Sequence, residues 1–220
     1  DALKQGFKLV RKEKLITHKH ILTIQRILEQ NEAGYRRVPG TALINETSGE
    51  TVYTPPQDYP TILHLMDNLV DFVNDDTVSE LDPLIKMALL HFQFETIHPF
   101  YDGNGRTGRI LNILYLVQQD LLDLPILYLS RFIIQRKGDY YRLLQEVRDN
   151  GHWEDWVIYM LEGIEQTAKQ TIFVIGEIRA LMQDYKHRIR QQFPKIYNQD
   201  LLNNLFKHPY TKIEFVMEDR

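Results

Sequence analysis

Cysteine is absent from the chain, which rules out disulfides, thiolate metal sites and a cysteine nucleophile, and fits a reducing compartment such as the cytoplasm. No apolar run approaches the ~18 residues of a membrane span. The opening residues, DALKQGFKLVRK, lack the apolar stretch of a signal peptide. A strong excess of either charge is also missing: the net charge is −4 with 25% charged residues. No global basic field therefore draws the chain to nucleic acid or an anionic membrane, and any anion site must be local. What the chain does have is 43% hydrophobic content over 220 residues, enough to bury the core of one ordinary domain with room for a small appendage.

No internal repeat or low-complexity segment is visible, and the apolar spacing is mostly three and four residues, so the protein reads as mainly α. Residues 15–29 (LITHKHILTIQRILE) predict a helix, and an irregular stretch from Asn31 to Pro60 follows it. Within that stretch, TALINETSGETVYTPP has β-formers on both sides of Ser48-Gly49, which predicts a short hairpin. A helix is expected from Thr61 to Asn74. Asp82-Pro83 then supplies an N-cap and a first-turn proline for LIKMALLHFQFE, a run apolar nearly all round that belongs in the centre of the fold. After a polar loop, RTGRILNILYLVQQ resumes as a second apolar helix. From Val157 to Tyr185 apolar positions alternate spacings of four and three, which reads as a long helix packed on the core, with a coiled-coil or homodimer seam as the alternative.

The loop between the two apolar helices, His98-Pro-Phe-Tyr-Asp-Gly-Asn-Gly-Arg-Thr-Gly-Arg109, carries the chemistry. Gly103 and Gly105 permit backbone conformations that turn several N–H groups toward one point, and a helix starting near Asn104 adds its positive N-terminal dipole; together they make an anion cradle. Arg106 and Arg109 lie three apart on one helix face, where both can reach phosphate oxygens. Asp102 with phosphate oxygens and water suits Mg²⁺. His98 precedes the cradle and is the candidate general base toward an incoming hydroxyl. Phe100 follows the apolar pattern and is assigned to the core. A zinc site from His91 and His98 lacks a third ligand close by. GNGRTGR lacks the Walker lysine and the preceding strand that a P-loop or dinucleotide fingerprint requires.

These residues match the Fic family motif, H-x-F-x-[DE]-G-N-G-R-x-x-R, at every specified position, and HFQFETIHPF, LLDLPILYLS and GDYYRLL also resemble the Fic core, over roughly residues 15–165. The resemblance implies a mainly helical Fic fold with a short β-hairpin flap, and transfer of AMP from ATP to a serine, threonine or tyrosine hydroxyl of a target protein. By resemblance His98 is the base and Asp102 holds Mg²⁺. The nucleotide lies along Gly103, Asn104, Gly105, Arg106, Thr107, Gly108 and Arg109. Glu50, Thr51, Val52 and Tyr53 form the flap that docks the target main chain, and Tyr140, Tyr141 and Arg148 line the adenosine pocket, although a small amide residue is common at the last position.

The same family includes transferases of UMP, phosphocholine or phosphate and enzymes that remove AMP; the unaltered motif favours AMP. The domains expected are an N-terminal helix and flap (1–60), a catalytic core (61–165), a long helix (166–197) and the start of a module (198–220) whose first residues from Leu201 resemble the opening of a winged helix. That last resemblance raises a DNA-binding regulator as the reading from another class. Many relatives carry an inhibitory helix, [ST]-x-x-x-E-[GN], whose glutamate pairs with the second motif arginine, here Arg109. No serine or threonine in the 220 residues has a glutamate four positions later. The start at Asp1 without methionine fits such a segment lying upstream, a protein that lacks it by nature fits equally well, and the chain as given is expected to be active and to modify itself.

Overall fold

A computed structural model describes residues 1–45, 48–75, 77, 80–208 and 210–218. The chain forms two compact units, Asp1–Thr167 and Ala168–Arg220.

In the first unit the apolar runs dictate the centre. Helix α4 (Pro83–Ile97) starts where Asp82 accepts a hydrogen bond from the Leu84 amide, and α5 (Asn104–Gln118) starts at Gly103. Both are buried on nearly every side, with Met87, Ala88, Phe94, Leu114 and Val117 fully enclosed. Burying each large side chain of this kind is worth about 1.5–3 kcal/mol. Helix α3 (Tyr59–Asn74), capped by Asp58 on the Thr61 amide, packs on α4, and α2 (His18–Glu29), capped by Thr17, packs on α5. The two strands β1 (Leu43–Ile44) and β2 (Thr51–Tyr53) pair antiparallel, Leu43 opposite Tyr53, with an irregular register at Leu43/Ile44. The hairpin expected across Ser48-Gly49 is therefore present, with Gly49 at φ 73°; Glu46 and Thr47 within it lie outside the described residues.

Residues before Leu15, to which the sequence assigns no element, form α1 (Ala2–Glu13). Its buried residues are Ala2, Gly6 and Val10, flanked by the half-buried Leu3, Phe7 and Leu9, an amphipathic face at helical spacing opposite Lys4, Lys8, Arg11 and Lys12. Gly6 permits the close approach: a Cβ there would lie 2.7 Å from Leu114 and 3.2 Å from Ile24.

Helices α6 (Leu129–Gln135), α7 (Lys137–Asn150) and the first turns of α8 (Trp153–Gln192) complete the first unit. Trp156 is fully buried, donates to the Ala88 carbonyl at 2.9 Å and stacks on His91, whereas Trp153, one turn earlier, is 42% exposed. The expectation that α8 packs on the core along its length needs correction. In the first unit α8 buries Trp156, Tyr159, Met160, Gly163 and Thr167, and in the second unit its Ile172, Phe173, Ile175, Ile178 and Leu181 are exposed. In the second unit, α9 (Gln199–Leu205) is capped by Asn198 and tied to α10 (Ile213–Glu218) by Asn204, which donates to the Phe215 carbonyl. Of the module expected over 198–220, Pro209, Asp219 and Arg220 lie outside the described residues. No helix among the described residues is long and apolar enough to cross a membrane.

Candidate active site

The loop that links α4 to α5 turns sharply on two left-handed residues, His98 (φ 49°, ψ 58°) at the end of α4 and Gly103 (φ 79°) at the start of α5. Phe100 is fully buried between the rings of Tyr35 and Phe94. The Asn104 side chain closes the loop, accepting from the Phe100 amide and donating to its carbonyl, both at 2.9 Å. Asn104 thus serves the loop through its side chain. Helix geometry leaves the first amides of α5 without intrahelical acceptors, and the Thr107 amide is the first to bond back, to Gly103 at 2.9 Å. The N–H groups of Asn104, Gly105 and Arg106 remain to form the cradle.

Thr107 and Gly108, expected at the nucleotide, are turned into the helical core instead. Thr107 is fully buried, and a Cβ on Gly108 would meet Glu95 at 3.0 Å and Phe94 at 3.1 Å. Helical phase explains it: they follow Arg106 onto the face that α4 covers. Arg109 folds over Gly105, its Nη1 3.1 Å from where a Cβ would stand. Asp102 is 81% exposed, 4.0 Å from Arg106, and accepts from the Gly103 amide. No cluster of three metal-ligating side chains exists among the described residues, so Asp102 fits a cation held mainly by substrate oxygens and water.

His98 is half-buried. Burial pushes its imidazole down to about 4, against a backbone hydrogen bond at Glu95 that raises it; Arg36 and Arg148 add to the lowering and Asp102 opposes it. The ring is thus neutral near pH 7. Arg36, fully buried, donates from Nε to the His98 carbonyl at 2.8 Å, and from Nη2 to the carbonyls of Ile97 at 3.3 Å and Pro56.

Beside the cradle a cavity of about 540 Å³ opens between the hairpin and α7, lined by Leu43, Ile44, Asn45, Val52, Tyr53, Glu95, Lys137, Tyr141, Arg142, Leu144, Gln145 and Arg148. Of the residues expected in an adenosine pocket, Tyr141 and Arg148 line it. Tyr140 does not: it is 4% exposed, hydrogen-bonds His91 Nε2 at 3.0 Å and lies among Trp156 and Tyr159, which is core packing. Arg148 lies 3.9 Å over the ring of Tyr53, whose hydroxyl donates to the Thr96 carbonyl. In the flap, Thr51 and Val52 are exposed, while Glu50 stands just before the strand, its carbonyl accepting from Asn45.

Three groups escape the sequence reading. Glu29 places its carboxylate 2.6 Å from Arg106 and against Gly103, Glu95 lies under Gly105 and Gly108, and Arg36 grips the histidine loop. Burial pushes Glu95 up to about 7 against the lowering influence of Arg109 and Arg148. Only Glu95 carries a sequence signal: the one carboxylate on a helix that is apolar nearly all round.

The Fic/DOC family model matches residues 15–116, and the model for the C-terminal domain of SoFic-like protein adenylyltransferases matches residues 181–220. Among curated relatives, protein adenylyltransferase fic-1 of Caenorhabditis briggsae is 28% identical over 159 residues, 70% of this chain and 29% of the relative. A probable protein adenylyltransferase of Aquifex aeolicus is 35% identical over 81 residues, 37% of this chain and 24% of the relative. The chain thus spans under a third of the length of these relatives. Among solved structures, a Fic family protein from Desulfovibrio desulfuricans superposes with a TM-score of 0.65 at 22% identity, over 98% of this chain and 66% of that one. Fic-1 of C. elegans superposes at 0.60 and 24% identity, over 80% and 50%. The mainly helical fold with its two-stranded hairpin is the Fic fold, and residues 15–116, which seat the motif between α4 and α5, carry the domain of the Fic/DOC family.

Proposed function

We propose that the chain is a protein adenylyltransferase that moves AMP from ATP to a side-chain hydroxyl of a target protein. One observation carries the reading: a neutral imidazole at the lip of an anion cradle, beside a cavity of about 540 Å³. The curated relatives named above bear the same activity in their names.

The residues divide the work by their chemistry. The free amides of Asn104, Gly105 and Arg106, with the α5 dipole and the guanidinium groups of Arg106 and Arg109, receive the phosphates. The cavity between Tyr53, Tyr141 and Arg148 takes the nucleoside. Asp102 would hold Mg²⁺, which when bound neutralises phosphate charge and steadies the leaving group. The acceptor oxygen attacks the α-phosphorus and the bond to pyrophosphate breaks. His98 takes the hydroxyl proton. At a pKa of about 4 the free imidazole is a weak base, and Arg36 and Arg148 help to keep it so. A polyphosphate bound nearby offsets those cations and raises the proton affinity of the imidazole, which makes it a better base. The exposed edge at Thr51 and Val52 suits docking of a target main chain by strand addition.

The test is incubation with Mg²⁺ and each labelled nucleoside triphosphate, with and without lysate, followed by mass spectrometry of modified proteins. AMP on a serine, threonine or tyrosine supports the reading. Transfer of UMP or phosphate alone replaces it.

A further inference from the structure

We propose that Arg36 is the positioning residue of His98, holding the histidine in its left-handed conformation and tying it to the foot of the hairpin flap.

Arg36 has no exposed surface, its partners are all main-chain carbonyls, and its Nη1 has no hydrogen-bond partner. A buried guanidinium without a carboxylate is an expensive way to fill space that an apolar side chain would fill at lower cost. Its return must lie in where its donors point. Two of the carbonyls, Ile97 and His98, end α4, where helix geometry leaves carbonyls without partners and a positive charge is favourable. The same chain position is fixed from the backbone side, since the Arg36 amide donates to Pro99 at 2.9 Å. Arg36 therefore binds three consecutive residues, 97 to 99, from both its main chain and its side chain.

The middle residue of those three is the one under strain. His98 sits at φ 49° and ψ 58°, a region that helix ends normally give to glycine or asparagine. Lys14 and Gln30 end α1 and α2 in the same region as exposed residues; His98 differs in having its carbonyl held by a buried guanidinium. Nε of Arg36 meets the carbonyl of that very residue at 2.8 Å, while Nη2 reaches Pro56, just beyond the Tyr53 that lines the cavity. The planar fork sets the angle between these acceptors, so the distance from base to flap is determined by one side chain. Lysine, a point donor on a flexible stem, cannot reproduce that angle.

The inference rests on the adenylyl-transfer reading for the importance of His98, and its test separates the two. Arg36→Lys and Arg36→Gln are compared with the wild type in thermal melts, in Mg²⁺-ATP binding by calorimetry, in single-turnover transfer, and in the His98 backbone carbon-13 shifts. The expected result is cooperative folding, nucleotide affinity within about threefold of wild type, and transfer slowed by about 10²-fold, the cost of misplacing a reacting group by an ångström. The His98 shifts should move away from their left-handed values. Wild-type transfer in Arg36→Lys, or parallel loss of affinity and rate, overturns the proposal. So does failure of both variants to fold, which would assign Arg36 to the fold alone. If the wild-type chain transfers nothing, the functional reading falls, and the His98 shifts alone decide whether Arg36 holds that residue.

Discussion

Glu29, the last residue of α2, holds its carboxylate 2.6 Å from the guanidinium of Arg106 at the entrance to the α5 cradle. The carboxylate is 10% exposed, and it lies so near Gly103 that a Cβ there would stand 2.3 Å from its Oε1. An anion already occupies the ground where phosphate charge is expected, and like charges a few ångströms apart cost about 1 kcal/mol even in water. Glu29→Gln is therefore expected to tighten Mg²⁺-ATP binding roughly fivefold. Calorimetry measures it; weaker binding would mean that Glu29 aims Arg106 rather than competes for it.

His98→Ala should leave nucleotide affinity close to wild type and slow transfer by about 10²- to 10⁴-fold, the usual worth of a general base. The phosphates are held by α5, and the imidazole acts only on the incoming hydroxyl. Transfer at the wild-type rate would remove His98 from the mechanism.

Asp102→Ala bears on the cation. The carboxylate is exposed and belongs to no group of three possible ligands among the described residues, so its loss leaves the metal chiefly to phosphate and water. ATP titrations with and without Mg²⁺ should differ clearly for the wild type and little for the variant. An unchanged metal dependence would move the site elsewhere.

Glu95 predicts a pH dependence of stability. Its folded pKa, pushed up to about 7 by burial, lies above the ordinary value of 4.5. The folded state therefore binds more protons than the unfolded state between those pH values, and the carboxyl weakens the fold as pH rises from 4.5 to 7, with the full penalty above. Melting temperatures of Glu95→Gln relative to wild type should shift in favour of the variant between pH 5 and pH 8. A difference that does not change with pH would show that Glu95 is not held protonated.

Gly163→Val addresses packing in the first unit. A Cβ at Gly163 would stand 2.7 Å from a ring carbon of Phe132 and 3.1 Å from Leu129, and an aromatic ring cannot bend away. The expected cost is about 1–3 kcal/mol, read as a drop of several degrees in melting temperature. An unchanged melt would show that α6 and α8 have room to separate.

The linear motif made His98, Asp102 and the two arginines legible because one loop and one helix turn carry them. Arg36 was not legible, since it meets His98 from 62 residues away and a lone arginine in an irregular stretch has no periodicity to betray it. Tyr140 and Tyr141 show the limit at a single step. Neighbours on a helix point about 100° apart, so one faces the core and one the cavity, and the composition of the segment does not say which. Helices α3, α4 and α5 could be read from their apolar runs, with Asp82-Pro83 marking the start of α4, and α1 was legible by the same rule, since Leu3, Phe7 and Val10 recur at helical spacing.

The two tryptophans of the chain, Trp153 and Trp156, both fall on the first turn of α8. Fluorescence excited selectively at tryptophan is consequently a reporter of the first unit, blind to Ala168–Arg220 with its tyrosines, whereas circular dichroism sums the helices of both. Agreement between the two signals during unfolding would mean a single cooperative transition; a fluorescence midpoint displaced from the dichroism midpoint would mean that the units melt apart.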